Sequence, residues 1–184
     1  MFVTTPLGVS NAVLWSIKAM DDAMNRVNTV AASDLAAGFA AIGESVWWIT
    51  VVNDTLRRDY KVEYDQAPGL MSPDPTDTLD GLRSVRNRVG HDVDLVTFIH
   101  PVASRADPGD GRITAWAWQS VSPPVQGAGG RNSARQQQRA EQLHEAYERA
   151  LAGQNVWHSF NVAAGFFGQV ARVINGEIVD HNAT

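Results

Sequence analysis

The sequence predicts an all-α protein, an antiparallel bundle of about five helices that carries one small inserted β-hairpin. Apolar residues recur with spacings of four and three over long stretches near both ends of the chain, as on one face of a helix. Between residues 93 and 130, β-prone runs and turn residues replace that spacing. The chain of 184 residues is long enough for one core. We therefore expect a single domain over 1–184, with 93–130 as a hairpin insertion and flexible linker.

The first two predicted helices, residues 9 to 31 and 34 to 60, should pack against each other as an antiparallel hairpin. Both carry an apolar stripe with the four–three spacing, and the connection between them is short. Asn53 interrupts the second stripe at a position where an apolar residue is expected. The most apolar part, residues 35 to 52, is predicted to be a buried helix and not a membrane span.

The rest of the chain divides at turn-forming residues. Three prolines and a glycine predict a loop over residues 65 to 78. The other predicted elements, in order, are a third helix from Thr76 or Asp77, strands at 93–99 and 113–121 separated by a turn at 107–111, and helices at 131–152 and 155–174.

Composition excludes several classes of function. The chain has no cysteine, which excludes disulfides, thiolate catalysis and cysteine-ligated zinc and fits a reducing cytoplasm. No histidine has metal-ligand spacing, so no metal and no other cofactor is predicted. The N-terminus shows no signal-peptide pattern. A net charge of −5 argues against a general nucleic-acid binder. Arg83, Arg86 and Arg88 could still form a local basic spot, although the simpler interpretation leaves two of them solvated.

The strongest candidate for chemistry is the run from Arg86 to His91, near the end of the third predicted helix. On a helix, Asn87 and His91 are four residues apart and share a face, with Arg86 on the same turn. A guanidinium can bind a phosphate bidentately, an imidazole can move a proton near neutral pH, and an amide can orient either group. These groups suffice to cleave a phosphodiester without a metal. The plainer interpretation is an ordinary helix end with Arg86 in solvent.

The run resembles the signature of the HEPN superfamily, in which an arginine, a polar residue and a short spacer precede a histidine. The resemblance covers roughly residues 9 to 95. It implies a dimeric, metal-independent endoribonuclease of a toxin–antitoxin or phage-defence system, with RNA as substrate, an antitoxin or regulatory protein as a further partner, and no membrane. His91 would take the 2′-hydroxyl proton, Arg86 would stabilise the phosphoryl charge and Asn87 would orient His91 or the phosphate. The product would carry a 2′,3′-cyclic phosphate. Some members carry a tyrosine where this chain has Val93.

Two other interpretations remain open. The chain could be a catalytically silent HEPN-like module that binds a protein or RNA partner, as its acidic charge and hairpin insertion favour, or an unrelated helical bundle. The family often places an acidic residue near its site, for which Glu44 and Asp54 are candidates; the plainer expectations are a solvated Glu44 and an ion pair from Asp54 to Arg58. Four tryptophans could stack on bases, although core packing is the commoner use: Trp47, Trp48, Trp116 and Trp118.

Overall fold

The computed structural model describes residues 8–30, 34–71, 74–89, 95–103, 113–124 and 134–177. Within these ranges the chain is mostly helical, with one two-stranded sheet, which confirms the all-α class with a small β-hairpin. The helices are α1 (Asn11–Thr29), α2 (Leu35–Asp59), α3 (Lys61–Gln66), α4 (Thr76–Arg88), α5 (Ala134–Ala150) and α6 (Val156–Ile174). The strands are β1 (Ile99–Ala103) and β2 (Ile113–Trp118), and short 3-10 helices span Ala67–Leu70 and Leu95–Thr97.

The first two helices form the predicted antiparallel hairpin. The backbone N–H of Ser10 donates to the hydroxyl of Tyr60 at 2.7 Å, so the beginning of α1 lies beside the end of α2. Near the other end, Arg26 forms an ion pair with Glu44. Asp34 caps α2 by accepting the N–H of Ala37 at 3.0 Å. The two apolar stripes face each other in the core, as their spacing predicts.

Helix α4 lies between α2 and α5. An ion pair joins Asp54 of α2 to Arg83 of α4, and the carboxylate of Asp77 accepts two hydrogen bonds from the guanidinium of Arg149 at 3.0 Å each. Gly81 permits a close approach of α4 to α5, because a Cβ at this position would lie 3.1 Å from the Cα of Tyr147. Helix α4 is thus held on both sides.

Helix α2 is long and apolar enough, by length and composition alone, to cross a membrane. Its apolar residues are buried against α1 and α4, among them Ile42, Ile49 and Leu56. Helix α6 completes this core with three fully buried phenylalanines at 160, 166 and 167. The prediction of a buried core helix agrees with this packing.

The hairpin is an integral part of the core. Strands β1 and β2 are antiparallel, with Ile99 opposite Trp118. Trp118 is fully buried, and its indole N–H donates to the hydroxyl of Ser159 at 2.7 Å. On the other edge of β2, the Trp118 N–H donates to the Gln154 carbonyl at 2.9 Å and the Gly153 N–H donates to the Trp118 carbonyl at 2.8 Å. The α5–α6 connection therefore covers this edge of the sheet.

Several predicted bounds were wrong. Helix α3 and a 3-10 turn occupy residues 61–70, of which 65–70 were predicted as loop and 61–64 were assigned to no element. The described part of the chain therefore has six α-helices, against a prediction of about five. Residues 95–97 form a 3-10 helix within the run predicted as the first strand. The turn predicted at 107–111 and most of the linker lie outside the described residues.

Candidate functional site

The C-terminal turn of α4 borders a cavity of about 330 Å³ between α4 and α2. Arg86 and Asn87 both line it. Trp47 forms part of the opposite wall, on α2. The remaining lining residues are small or apolar: Gly43, Val46, Val85, Val89 and Leu95. The cavity therefore combines one cation, one amide and one indole within mostly apolar walls.

Arg86 is oriented by contacts to Trp47 and Asn87. Its guanidinium carbon lies 4.6 Å from the centroid of the Trp47 ring, a cation–π geometry that contributes about 0.5–2 kcal/mol. Its Nη1 also donates a long hydrogen bond of 3.4 Å to the Oδ1 of Asn87. Its Nε is buried and has no hydrogen-bond partner among the described residues. Arg86 is half-buried, which argues against the plain solvated helix end.

The two neighbouring arginines are also engaged. Arg83 exposes 18% of its side chain and pairs with Asp54, and burial lowers its pKa, as do the nearby cations Arg139 and Arg86. Arg88 in turn donates to the Ser122 carbonyl at 2.9 Å. The expectation that two of the three arginines would be solvated was therefore wrong.

The predicted local ion pair from Asp54 to Arg58 was also wrong. Asp54 reaches across to Arg83 on α4, and Arg58 binds its sequence neighbour Asp59 instead. Glu44 is half-exposed and pairs with Arg26 of α1, so it is not a free acidic group. Neither carboxylate lines the cavity of Arg86.

His91 lies outside the described residues, as does Val93. Helix α4 ends at Arg88, and Val89 has extended backbone angles (φ −65°, ψ 129°). Helix α4 therefore does not provide the shared face predicted for Asn87 and His91, because it ends before residue 91. Val89 and Leu95, the nearest described residues on either side of that segment, both line the cavity.

The four tryptophans named as candidates have different environments. Trp116 and Trp118 are core residues, and Trp48 is partly buried against the core. Trp47 exposes 49% of its surface. Its place beside Arg86 could not be read from spacing, since it depends on the packing of α2 against α4.

No protein-family model matches this chain, and no curated protein or solved structure matches it either. The function is therefore inferred from the fold and the chemistry of the cavity.

The cavity offers complementary groups for a phosphate attached to a flat ring. Arg86 supplies a permanent positive charge, Asn87 an amide, and Trp47 an aromatic surface, all on two packed helices. No group of three or more histidine, aspartate and glutamate side chains comes together as a metal site within the described ranges. Recognition by a cation and an aromatic ring is the chemistry that these side chains can supply.

Proposed function

We propose that this chain is a metal-independent endoribonuclease of the HEPN type, acting as a toxin or phage-defence effector in the cytoplasm. The observation that carries the proposal is the pairing of Arg86 and Asn87 in one cavity beside the half-exposed ring of Trp47. A phosphate would bind Arg86, and an adjacent base would stack near Trp47. The motif with the resemblance to HEPN proteins is the one that borders this cavity.

Each motif residue has a defined role in the proposed reaction. His91 takes the proton of a ribose 2′-hydroxyl, and the 2′-oxygen then attacks the adjacent phosphorus. Arg86 stabilises the negative charge that builds on the phosphoryl oxygens. Asn87, which already contacts Arg86, keeps the guanidinium turned towards the phosphate. The bond to the 5′-oxygen breaks, and the products are a 2′,3′-cyclic phosphate and a free 5′-hydroxyl.

The departing 5′-oxygen needs a proton, and a single histidine cannot be base and acid in the same step. We propose that a second copy of the chain supplies another His91, which makes the homodimer the active form. An antitoxin or regulatory protein that covers this cavity would keep the nuclease silent. Both partners belong to the proposal: the need for a second histidine supports the homodimer, and the resemblance to the HEPN superfamily supports the antitoxin or regulatory protein.

Cleavage of RNA in the presence of EDTA tests the proposal. Wild type should leave fragments with cyclic phosphate ends, and Arg86→Gln and His91→Ala should each reduce the rate at least about 100-fold, as expected for loss of a charge-stabilising or proton-transferring group. Arg172→Gln and His158→Ala are the matched controls, since both residues are exposed on α6. Equal loss in the controls, or cleavage that survives both motif variants, would refute the assignment.

A second candidate is the catalytically silent module that binds a partner. The observation that favours it is the buried Nε of Arg86, because part of the guanidinium is already enclosed and the Trp47 ring covers it. A folded, dimeric wild type that binds RNA or a protein through Trp47 but cleaves no RNA would support this candidate over the nuclease.

A further inference from the structure

A second cavity, of about 430 Å³, lies further along the α2–α4 pair, towards the end of α2 and the beginning of α4. It is bordered by α2, α3, α4, α5 and α6. The apolar part of its wall comes from Tyr64, Leu79, Phe166 and the prolines at 68 and 75, and the other lining residues are polar or charged. The ring of Tyr64 stands edge-on to that of Phe166, with 5.0 Å between their centroids. These walls suit an apolar or aromatic body of a small molecule.

Asn53 is the polar residue that interrupts the apolar stripe of α2, and it lines this cavity. It is 4% exposed, and its Oδ1 accepts a hydrogen bond from the Tyr64 hydroxyl at 2.6 Å. Burial raises the pKa of Tyr64 to about 12, so this hydroxyl remains a donor at neutral pH. The amide is therefore held in one orientation, with its oxygen already occupied.

The amide nitrogen of Asn53 donates a hydrogen bond to none of the described groups. It is nevertheless not one of the solvent-inaccessible side-chain atoms that lack a hydrogen-bond partner. It therefore keeps access to the open space that Asn53 lines. A buried amide with its oxygen bound and its nitrogen free presents two N–H donors to a ligand. A polar residue in a helix seam often only selects the packing register, but that role does not require a free donor facing a cavity.

The charged residues on the cavity wall favour a ligand with a single negative charge. Asp65 pairs with Lys61, and Asp80 accepts from Arg139 at 2.9 Å, so three of the four charged residues on the cavity wall have a partner. Arg57 has no ion-pair partner among the described residues, and it lies one helical turn after Asn53 on α2. A singly charged anion can neutralise Arg57. A doubly charged phosphate would be repelled more strongly by the carboxylates of Asp65 and Asp80.

We propose that this cavity binds a small monocarboxylate with an apolar body, either aromatic or branched aliphatic. The carboxylate accepts hydrogen bonds from the guanidinium of Arg57 and the free N–H groups of Asn53. The apolar body lies against Tyr64 and Pro68, the partly exposed apolar residues of the cavity wall. This site is separate from the cavity of Arg86 and does not depend on the nuclease proposal.

Titration of the ¹⁵N-labelled full chain with phenylacetate tests the site by ¹H–¹⁵N NMR. The side-chain amide signals of Asn53 should shift and saturate. Phenylacetamide, the neutral isostere, should bind at least about tenfold more weakly, because it lacks the charge that strengthens the hydrogen bonds. Inorganic phosphate should give no saturable shift at Asn53.

Two matched variants test whether Arg57 is the cation that binds the carboxylate. Arg57→Gln should weaken phenylacetate binding about tenfold or more while the chain remains folded, since the side chain is exposed. Arg58→Gln removes the adjacent arginine, which pairs with Asp59 and does not line the cavity, and should change the Kd by less than about twofold.

Three results would overturn the proposal. The first is the absence of saturable shifts at Asn53 with both phenylacetate and isovalerate up to about 20 mM, the range in which weak fragments are detected. The second is equal binding of phenylacetate and phenylacetamide. The third is an equal effect of Arg57→Gln and Arg58→Gln on the Kd. RNA cleavage is measured separately, so failure here leaves the nuclease test unaffected.

Discussion

Gly38→Ala is the sharpest test of the packing of the hairpin against α2. An added Cβ at Gly38 would overlap the six-membered ring of Trp116, which is 8% exposed and lies edge-on to Phe39 with 5.2 Å between the ring centroids. The indole cannot retreat without giving up that contact. Overpacking of this kind destabilises a core by about 1–3 kcal/mol.

Helix propensity acts in the opposite direction. Replacing a glycine by alanine inside a helix stabilises it by up to about 1 kcal/mol, and by less in the first turn, where Gly38 lies. We therefore expect a net loss of about 1–2 kcal/mol in the free energy of unfolding. Gly168 is the matched control, because a Cβ there meets no atom within 4 Å. Gly168→Ala should stabilise the protein by about 0.5–1 kcal/mol.

Urea unfolding followed by circular dichroism measures both variants, with the slope m checked for constancy. Expressed as melting temperature, 1 kcal/mol corresponds to about 2–4 °C for a chain of this size. A double-mutant cycle adds Trp116→Leu, whose cost should be smaller in the Gly38→Ala background because removing the indole also relieves its overlap with the added methyl group. If Gly38→Ala stabilises the chain as much as Gly168→Ala does, then β2 does not pack on α2 as described.

Two further predictions concern charge and pH. Asp54→Asn should destabilise the protein by about 1 kcal/mol, because it leaves the largely buried Arg83 without a counter-ion. Arg83→Met should cost less, because the exposed Asp54 that it leaves unpaired is solvated by water. Equal losses in urea unfolding would contradict this. Burial raises the pKa of Tyr147 above its usual value of 10.0, so the folded state retains a proton that the unfolded state releases. The free energy of unfolding should therefore fall as the pH rises above about 10, and Tyr147→Phe should flatten that fall; an unchanged slope in the variant would refute the assignment.

The long helices could be predicted because each buries one face along its whole length. The apolar stripes of α1, α2 and α6 set their positions and, for α1 and α2, their antiparallel packing. Helix α3 has only six residues and none of them is buried, so it leaves no periodic signal. Residues 95–97 are β-prone in composition, yet a 3-10 helix forms there, and the side-chain amide of Gln119 donates to the carbonyls of Val96 and Thr97.

Contacts distant in sequence account for what the sequence could not predict at the candidate site. The spacing rule pairs Asp54 with Arg58 on the same helix, but the structure pairs it with Arg83, 29 residues away. The motif likewise could not predict that Arg86 contacts Trp47 of α2, since Trp47 lies 39 residues earlier in the chain. Grouping Arg86 with Asn87 needed only adjacency on one turn, and both residues line one cavity, while their catalytic roles stay a prediction.

Both cavities are built on the same pair of helices, with the Asp54–Arg83 ion pair at a level between them. A change that loosens α2 from α4 should therefore impair both the proposed RNA cleavage and the proposed carboxylate binding, and such a variant cannot assign either function. Arg57→Gln and Arg86→Gln each alter the lining of one cavity and leave that ion pair intact. If the first abolishes only carboxylate binding and the second only cleavage, the two sites are independent. Loss of both activities in either variant would mean that the ligands share one continuous groove.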